Sequence, residues 1–557
     1  MTSWHPHSAR WRPIPHRRLL NGGDHMGRTA EIRIQEDARP PSAWTAARLR
    51  RCLDTCCGSN RVVVLANREP FRHEWTREGA PLAMRSASGL VTALEPLVAA
   101  CRGVWVAHGA GSADRAAVTR RDGLNVPPHH PAYRLRRVWL DAVEERRYYG
   151  GFANEGLWPL CHRVGVEPVF RLEDFAAYAR VNEKFATAVA EEADTESPVV
   201  MVQDYHFALA PRMIRERLPE CTVTAFWHIP WPRLADLERC PWRRQLLDGL
   251  LASDIVGFQT DDDCRAFLDC VARLPGARVE RRRGAVWYDG RETTIRAYPI
   301  SIEWPNQQAS ESRPHDECRT RVAARLHLSG PMKLIVGADR LDYTKGLCEK
   351  ALAFERLLER CPEFQHRVTL VQIAEPSRTT LPAYCALRSR LTSIVERINR
   401  RFGAGTYQPI VLRQEHHEPG EVYEFLRAAD VCHVGSLHDG MNLVAKEFVA
   451  ARDDDRGVLV LSEMAGAARQ LNAALIVDPY DVEASAEALA RALRMPDREQ
   501  AARMQSMRAV VAEFNSFWWA GQMLQDACGA TRRRSASREQ IRVVGEQRID
   551  AEVVQEM

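Results

Sequence analysis

Short runs of β-branched and other apolar residues recur along the chain, separated by longer stretches whose apolar positions return every three or four residues. Arg61–Leu65, Gly103–Val106, Val199–Val202, Thr222–Phe226 and Asp254–Phe258 form a first series. Lys333–Val336, Arg367–Val371, Ile410–Leu412, Asp430–Val434, Gly457–Leu461 and Ala474–Val477 form a second, beginning after about residue 310. Near-continuous apolar strands between amphipathic helices predict parallel sheets covered on both faces. Two such series predict an α/β chain of two doubly wound domains, with a ligand cleft between them.

Composition sets the expected boundaries. Residues 1–57 contain "HPHSARWRPIPHRR" and "EDARPPSAW" and read as a leader without regular structure, ending in a short helix at Ala46–Cys52. A start at Met26 would remove its most basic part. A first domain is expected over 58–310 and a second over 311–505, with the polar segment Asn306–His315 as linker. A C-terminal helix over 506–530 is expected to cross back to the first domain, followed by a charged tail over 531–557. At either end a docking segment is the alternative to disorder.

At 557 residues the chain is too long for one core, so several domains are required. Its 77 Lys and Arg against 73 Asp and Glu leave a net charge of +4, far from the basic excess of a dedicated nucleic-acid binder. No apolar run approaches the ~18–20 residues that cross a bilayer. The N-terminus also lacks the apolar middle of a signal peptide. The 15 cysteines are scattered; Cys52, Cys56 and Cys57 cluster without a second pair to complete a zinc cage. The expectation is a cytoplasmic protein with free thiols, touching neither nucleic acid nor membrane.

No GxxxxGK[ST] loop, HExxH or GxSxG motif is present. Gly109-Ala-Gly-Ser-Ala-Asp114 begins like a dinucleotide fingerprint but lacks its third glycine. Glu415-His-His-Glu418 is a metal-site candidate or a solvated loop. The stronger signals follow strands, where open α/β sheets bind ligands. Asn67-Arg68 follows the first strand, and Ser88-Gly89-Leu90 opens a helix at Val91–Ala100; amides and Arg68 together suit phosphate, while a helix cap plus a surface Arg is the plainer alternative. Asp339-Arg-Leu-Asp-Tyr-Thr-Lys-Gly346 places Arg340 and Lys345 in one strand-to-helix loop, enough charge for a diphosphate. His438-Asp-Gly-Met-Asn-Leu-Val-Ala-Lys-Glu447 adds a second helix N-terminus, with Asp439 and Glu447 as acceptors for sugar hydroxyls. Asp204 and His228 end strands in the first half, where acid/base or sugar-positioning groups would sit. Tyr148-Tyr149 and Trp158-Pro159 are either core aromatics or a wall against a sugar ring. Anion donors beside hydroxyl acceptors point to a nucleotide-sugar, bound without a metal.

At these residues the sequence resembles the trehalose-6-phosphate synthase family, retaining glucosyltransferases of the GT-B fold in glycosyltransferase family 20. The resemblance runs from about Arg61 to about Phe517 through "NREP", "SGL", "RRYYGGFANEGLWPLCH", "QDYHFALAP", "FWHIPWP", "LLDGLLASDIVGFQT", "YPISI", "DRLDYTKGL", "QIAEPSR", "HDGMNLVAKEFVA" and "SEMAGAARQL". It implies glucose transfer from a nucleoside-diphosphate-glucose, with UDP-glucose the leading donor, to glucose-6-phosphate. It also implies roles. Gly89, His228, Arg340, Lys345, Asp439, Gly440, Met441, Asn442, Leu443, Val444 and Glu447 would hold the donor. Arg68, Tyr149, Trp158, Asp204 and Arg378 would hold the acceptor. Asp204, His228, Arg340, Lys345 and Asp439 would carry the chemistry, with no cofactor and no required metal. Gln203, Ser88, His438 and His108 depart from residues common in bacterial members. The resemblance leaves self-association open and, with no phosphatase-like domain after it, expects a separate trehalose-6-phosphate phosphatase. Transfer to another phosphorylated polyol, as in a glucosylglycerol-phosphate synthase, and a non-catalytic regulatory homologue are the alternatives.

Overall fold

A computed structural model describes residues 44–530 and 532–533, except 58–60, 87–88, 194, 196, 329 and 331. The expected leader up to 43, the Met26 start, Ser88 and the tail beyond 533 lie outside the described residues. Among the described residues no helix is long and apolar enough to cross a membrane.

Each apolar series becomes its own sheet. The first half holds β1 (Val62–Leu65), β2 (Phe71–Trp75), β3 (Pro81–Arg85), β4 (Val104–His108), β5 (Gly123–Val126), β6 (Tyr133–Val138), β7 (Val199–Gln203), β8 (Thr222–Phe226), β9 (Ile255–Phe258), β10 (Arg278–Glu280), β11 (Ala285–Tyr288) and β12 (Arg291–Ala297). Apart from the β2–β3 hairpin, these form a sheet ordered β10-β11-β12-β9-β8-β7-β1-β4-β6-β5, parallel from β12 through β6. The second half holds β13 (Lys333–Arg340), β14 (Val368–Glu375), β15 (Ile410–Arg413), β16 (Val431–Val434), β17 (Val458–Ser462) and β18 (Leu475–Val477). They form an all-parallel sheet ordered β15-β14-β13-β16-β17-β18. Strands β1, β4, β7, β8, β9, β16 and β17 are buried at every position, as sheets with helices on both faces require.

Winding reverses between β1 and β7 in the first sheet and between β13 and β16 in the second. Loops leaving strands on either side of such a reversal part from one another and open a crevice at the carboxyl ends. The loops after β1, β7 and β16 carry Arg68, Asp204 and Asp439, and Arg340 is the last residue of β13. The topology, rather than any one motif, therefore gathers the candidate residues.

Helices α1 (Ala46–Cys57), α2 (Gly89–Cys101), α3 (Leu347–Arg360), α4 (Leu443–Ala451) and α5 (Asp497–Glu513) are those the site and the chain ends depend on. Several expectations need correction. Helix α1 extends past Cys52 and is packed: Trp44, Leu49 and Leu53 are buried, so regular structure starts well before residue 57. Complete burial of Leu49 alone is worth about 1.5–3 kcal/mol, which the polar composition of the region concealed. The expected linker is folded, with Asn306 capping a short helix by accepting from the Ala309 amide at 3.0 Å. The expected helix over 506–530 is two helices: α5 stops at Glu513, and a second runs over 516–530. Asn515 makes the break, accepting from Trp518 N–H and donating to the carbonyls of Trp44 and Ala512. The 516–530 helix lies on the first sheet, where Trp519 meets Phe226 edge-on at 5.1 Å and Asp526 binds Arg296 and Tyr298 at 2.7 Å.

The turn of the glycine run at 109–111 is filled by a side chain of the protein. Asp114 occupies its turn, accepting from the amides of Gly111 and His73 at 2.7 Å and pairing with the buried Arg137 at 2.7 Å.

Candidate active site

A cavity of about 410 Å³ lies between the carboxyl ends of the two sheets. Helix α2 of the first half and α4 of the second present their N-termini to it, with Gly89, Leu443 and Val444 in its wall. Unpaired amides and the positive dipole end make each a receiver for anions. The two meet: a Cβ on Gly89 would stand 2.8 Å from Leu443 Cδ1, so glycine permits the close approach. Asn442 caps α4 from a left-handed conformation (φ 71°), accepting from the Ala445 amide at 3.1 Å. Asp204 (φ 75°) and Arg378 (φ 49°) are also left-handed non-glycine residues on the cavity wall. Strain of this kind persists where surrounding contacts over-determine it, and here it aims polar side chains inward.

One cluster on the cavity wall is cationic and aromatic. Arg68, Arg340 and Arg378 converge beside Tyr149 and Trp158, with the Arg378 guanidinium 4.1 Å and that of Arg340 5.5 Å from the Trp158 ring centre. Arg378 donates to Asp342 at 2.9 Å, to Tyr205 at 3.3 Å and to the Tyr384 hydroxyl. Burial and the neighbouring Arg340 and Arg378 lower the pKa of Arg68. Burial alone would raise the Tyr149 phenol, but Arg378, Arg68 and Arg340 outweigh it and hold the group below its ordinary value. The excess positive potential suits a dianionic phosphate, and the stacked Tyr149 and His206 rings (5.7 Å, 7°) make an adjoining flat wall.

A second group on the wall comes from the second half alone. Lys345 binds Asp439 at 2.5 Å, and Asp439 also accepts from Asn442 and Ser436 at 3.1 Å each. Burial pushes the Asp439 carboxyl up, yet Lys345 and Asn442 outweigh that and hold it below the usual carboxylate range. Glu447 also lines the cavity, raised by burial to about 7. On the same wall, Asp204 accepts from the His228 amide at 3.2 Å and is raised by burial to about 7. The His228 ring, lowered by burial to about 3, is neutral and bonded through Nε2 to Gln203 at 2.9 Å.

The raised Asp204 predicts a pH signature. Between about pH 4 and 7 the unfolded chain gives up this proton while the folded site keeps it, so stability falls as pH rises, by up to about 1.4 kcal/mol per pH unit. Asp204→Asn removes the term. Its melting temperature should gain on the wild type's steadily from pH 5 to 7.5, and a constant difference would contradict the shift.

Of the sequence candidates, Arg68, Gly89, Tyr149, Trp158, Asp204, His228, Arg340, Lys345, Arg378, Asp439, Asn442, Leu443, Val444 and Glu447 all line this cavity. Gly440 and Met441 do not. Met441 is buried in the core, and a Cβ on Gly440 would stand 2.0 Å from the His228 carbonyl oxygen. The glycine serves a close crossing of two backbones, which no reading of one loop reveals. His438 likewise spans the halves, donating to the His162 carbonyl at 2.7 Å. Thr92, His162, Tyr205, His206, Gln259, Glu375, His417 and Tyr423 complete the polar wall without having been singled out as ligand contacts. His206 sits within "QDYHFALAP" and was legible there; Glu375 ends an apolar strand and was not. In Glu415–Glu418 the histidines face separate carboxylates, His416 on Glu375 at 2.8 Å and His417 on Glu421 at 3.0 Å. No group of three metal-binding side chains occurs among the described residues.

The sequence profile of glycosyltransferase family 20 matches residues 60–528. A trehalose-6-phosphate synthase of Mycobacterium avium (strain 104) is 38% identical over 476 residues, 84% of this chain and 95% of that protein. Among solved structures, a UDP-forming alpha,alpha-trehalose-phosphate synthase from Burkholderia xenovorans in complex with glucose-6-phosphate is 33% identical. It superposes with a TM-score of 0.73 over 84% of this chain and all of that one. An E. coli structure bound with UDP-2-fluoro glucose is 30% identical, with a TM-score of 0.74 over 84% and 99% of the two chains.

Proposed function

The chain belongs to glycosyltransferase family 20, with the GT-B arrangement of two Rossmann-like halves, and we propose that it makes trehalose-6-phosphate. It moves glucose, with retention at the anomeric carbon, from a nucleoside-diphosphate-glucose to glucose-6-phosphate, and UDP-glucose is the leading donor. One observation carries this reading. A single cavity is lined both by an arginine-and-aromatic cluster suited to a sugar phosphate and by Lys345, Asp439 and the N-terminus of α4, suited to a sugar diphosphate.

In this reading Arg68, Tyr149, Trp158 and Arg378 hold the acceptor, and Asp204 contacts it beside the attacking hydroxyl. Arg340, Lys345, Gly89 and the Leu443 and Val444 amides hold the diphosphate, Asp439 and Asn442 the glucose, and Glu447 the ribose. His228 touches the donor sugar. Retention follows from attack on the face the diphosphate leaves, with that diphosphate taking the proton of the incoming hydroxyl. Catalysis is then positioning plus stabilisation of the departing charge, and no protein nucleophile enters. Arg340 and Lys345 supply the charge a metal would otherwise bring. The buried Arg378–Trp158 stack favours a hexose phosphate over a smaller phosphorylated polyol, whose ring-less chain has no use for the aromatic wall. A regulatory homologue would have no physical reason to keep Lys345, Asp439, Arg340 and Glu447 around one cavity. The nucleotide-sugar substrates place the reaction in the cytoplasm, with a separate phosphatase removing the product's phosphate.

The test is release of nucleoside diphosphate from UDP-, ADP- or GDP-glucose with glucose-6-phosphate or glycerol-3-phosphate, each with and without EDTA. Release with glucose-6-phosphate, unchanged by EDTA, is expected; none with any donor overturns the reading. In the same assay Lys345→Ala should lower kcat at least tenfold, about 1.4 kcal/mol. A near-normal kcat would remove the lysine from the mechanism.

A further inference from the structure

Gln203 ends β7 fully buried, directly before Asp204, yet its amide nitrogen has no hydrogen-bond partner. A buried orphan donor calls for a reason. The other end of the same amide supplies one: Oε1 lies 2.9 Å from His228 Nε2. Everything else about His228 is already held. Its amide donates to Asp204, its carbonyl accepts from Gln259, and its ring packs edge-on against Phe226 at 4.6 Å. Only the position of the ring proton is left to decide. A neutral imidazole donates from one nitrogen and accepts at the other, and the partner of one sets the role of both.

We propose that Gln203 is a positioning residue that holds the His228 proton on Nε2 and so makes Nδ1 a hydrogen-bond acceptor for a hydroxyl of the transferred sugar. Among the described residues the one hydrogen bond of the His228 ring is through Nε2, which leaves Nδ1 for a ligand, on a side chain that lines the cavity. A lone pair there welcomes an O–H and repels a phosphate oxygen, which has no proton to give. It sorts the donor within the cavity, sugar toward His228 and diphosphate toward Lys345 and the α4 amides. The site-filling part of this inference rests on the proposed function; the tautomer does not.

The test uses the full-length protein labelled with ring-¹⁵N histidine, with the His228 resonances assigned by their loss in His228→Asn. In the wild type and in Gln203→Glu, Nε2 should carry the proton and Nδ1 should not. In Gln203→Leu the two tautomers should mix. In steady-state kinetics Gln203→Leu should raise the KM for the donor about tenfold, the worth of about one hydrogen bond, leave the KM for the acceptor unmoved, and be rescued in Gln203→Glu. A protonated Nδ1 in the wild type overturns the proposal. So does a Gln203→Leu protein whose tautomer and donor KM are unchanged, or one in which both KM values rise together. A wild type that transfers no glucose defeats the proposed function, while the resonances still report the tautomer.

Discussion

Arg378→Ala is expected to lower kcat/KM for glucose-6-phosphate at least a thousandfold, about 4 kcal/mol, and to destabilise the protein as well. Two separate losses combine. The guanidinium stacks 4.1 Å from Trp158 and completes the cationic cluster with Arg68 and Arg340, so under the proposed function the acceptor phosphate would lose a stacked cation able to bind it bidentately. Its removal also strands Asp342, which is fully buried and held low, against the pull of burial, by Arg378 and Arg340. Breaking a buried pair from one side typically costs about 3–5 kcal/mol. Arg378→Lys separates the terms: it keeps a charge near Asp342 but cannot form the flat fork, so the melting temperature should recover more than the acceptor KM. An Arg378→Ala enzyme with an ordinary acceptor KM would place the sugar phosphate elsewhere.

Gly440→Ala should be nearly as severe, although the residue does not line the cavity. The new methyl would stand 2.0 Å from the His228 carbonyl oxygen and 3.2 Å from Ile229 Cα, both backbone atoms that no rotamer change can move aside. Gly466 packs as tightly on the Gly440 carbonyl from the other side, so the loop has no free direction in which to retreat. Relief requires the His228–Ile229 segment and the α4 N-terminus to part, and both line the cavity proposed to bind the donor. A fall in kcat/KM for the donor of at least a hundredfold, about 2.7 kcal/mol, is expected together with a lower melting temperature. Displacement of about 1 Å at catalytic groups is known to have effects of this size. Gly150→Ala is the control: a Cβ there meets nothing within 4 Å, and that variant should keep its activity. Equal behaviour of the two alanines would mean that the halves do not close on this glycine.

Much of the fold could be read from local pattern because the central strands are buried on both faces. Val62–Leu65 or Val458–Ser462 admits only apolar side chains at every position, and that excess is visible without any neighbour. Strand β6 was missed for the opposite reason. Tyr133–Val138 carries three arginines in six residues, and the carboxylates of Glu69, Asp114, Asp122, Glu191 and Glu192, brought from other segments, make its burial tolerable. Helix α1 was undervalued because it packs on α2, and Trp44 just before it packs on Gly521 of the 516–530 helix, hundreds of residues away.

The site divides along the same line. Residue type and spacing alone marked the loops that line the cavity, since anion-binding amides, arginines and hydroxyl acceptors after buried strands are local facts of the chain. Which of those groups meet was decided only in three dimensions: the Lys345–Asp439 pair, Arg378 on Trp158, Gly440 against His228 and the Gln203 bond to the His228 ring. Each joins segments that sequence order keeps apart and that the two winding reversals bring face to face. Hydrophobic periodicity records what a segment buries, whereas contact distance and proton position depend on what arrives opposite it.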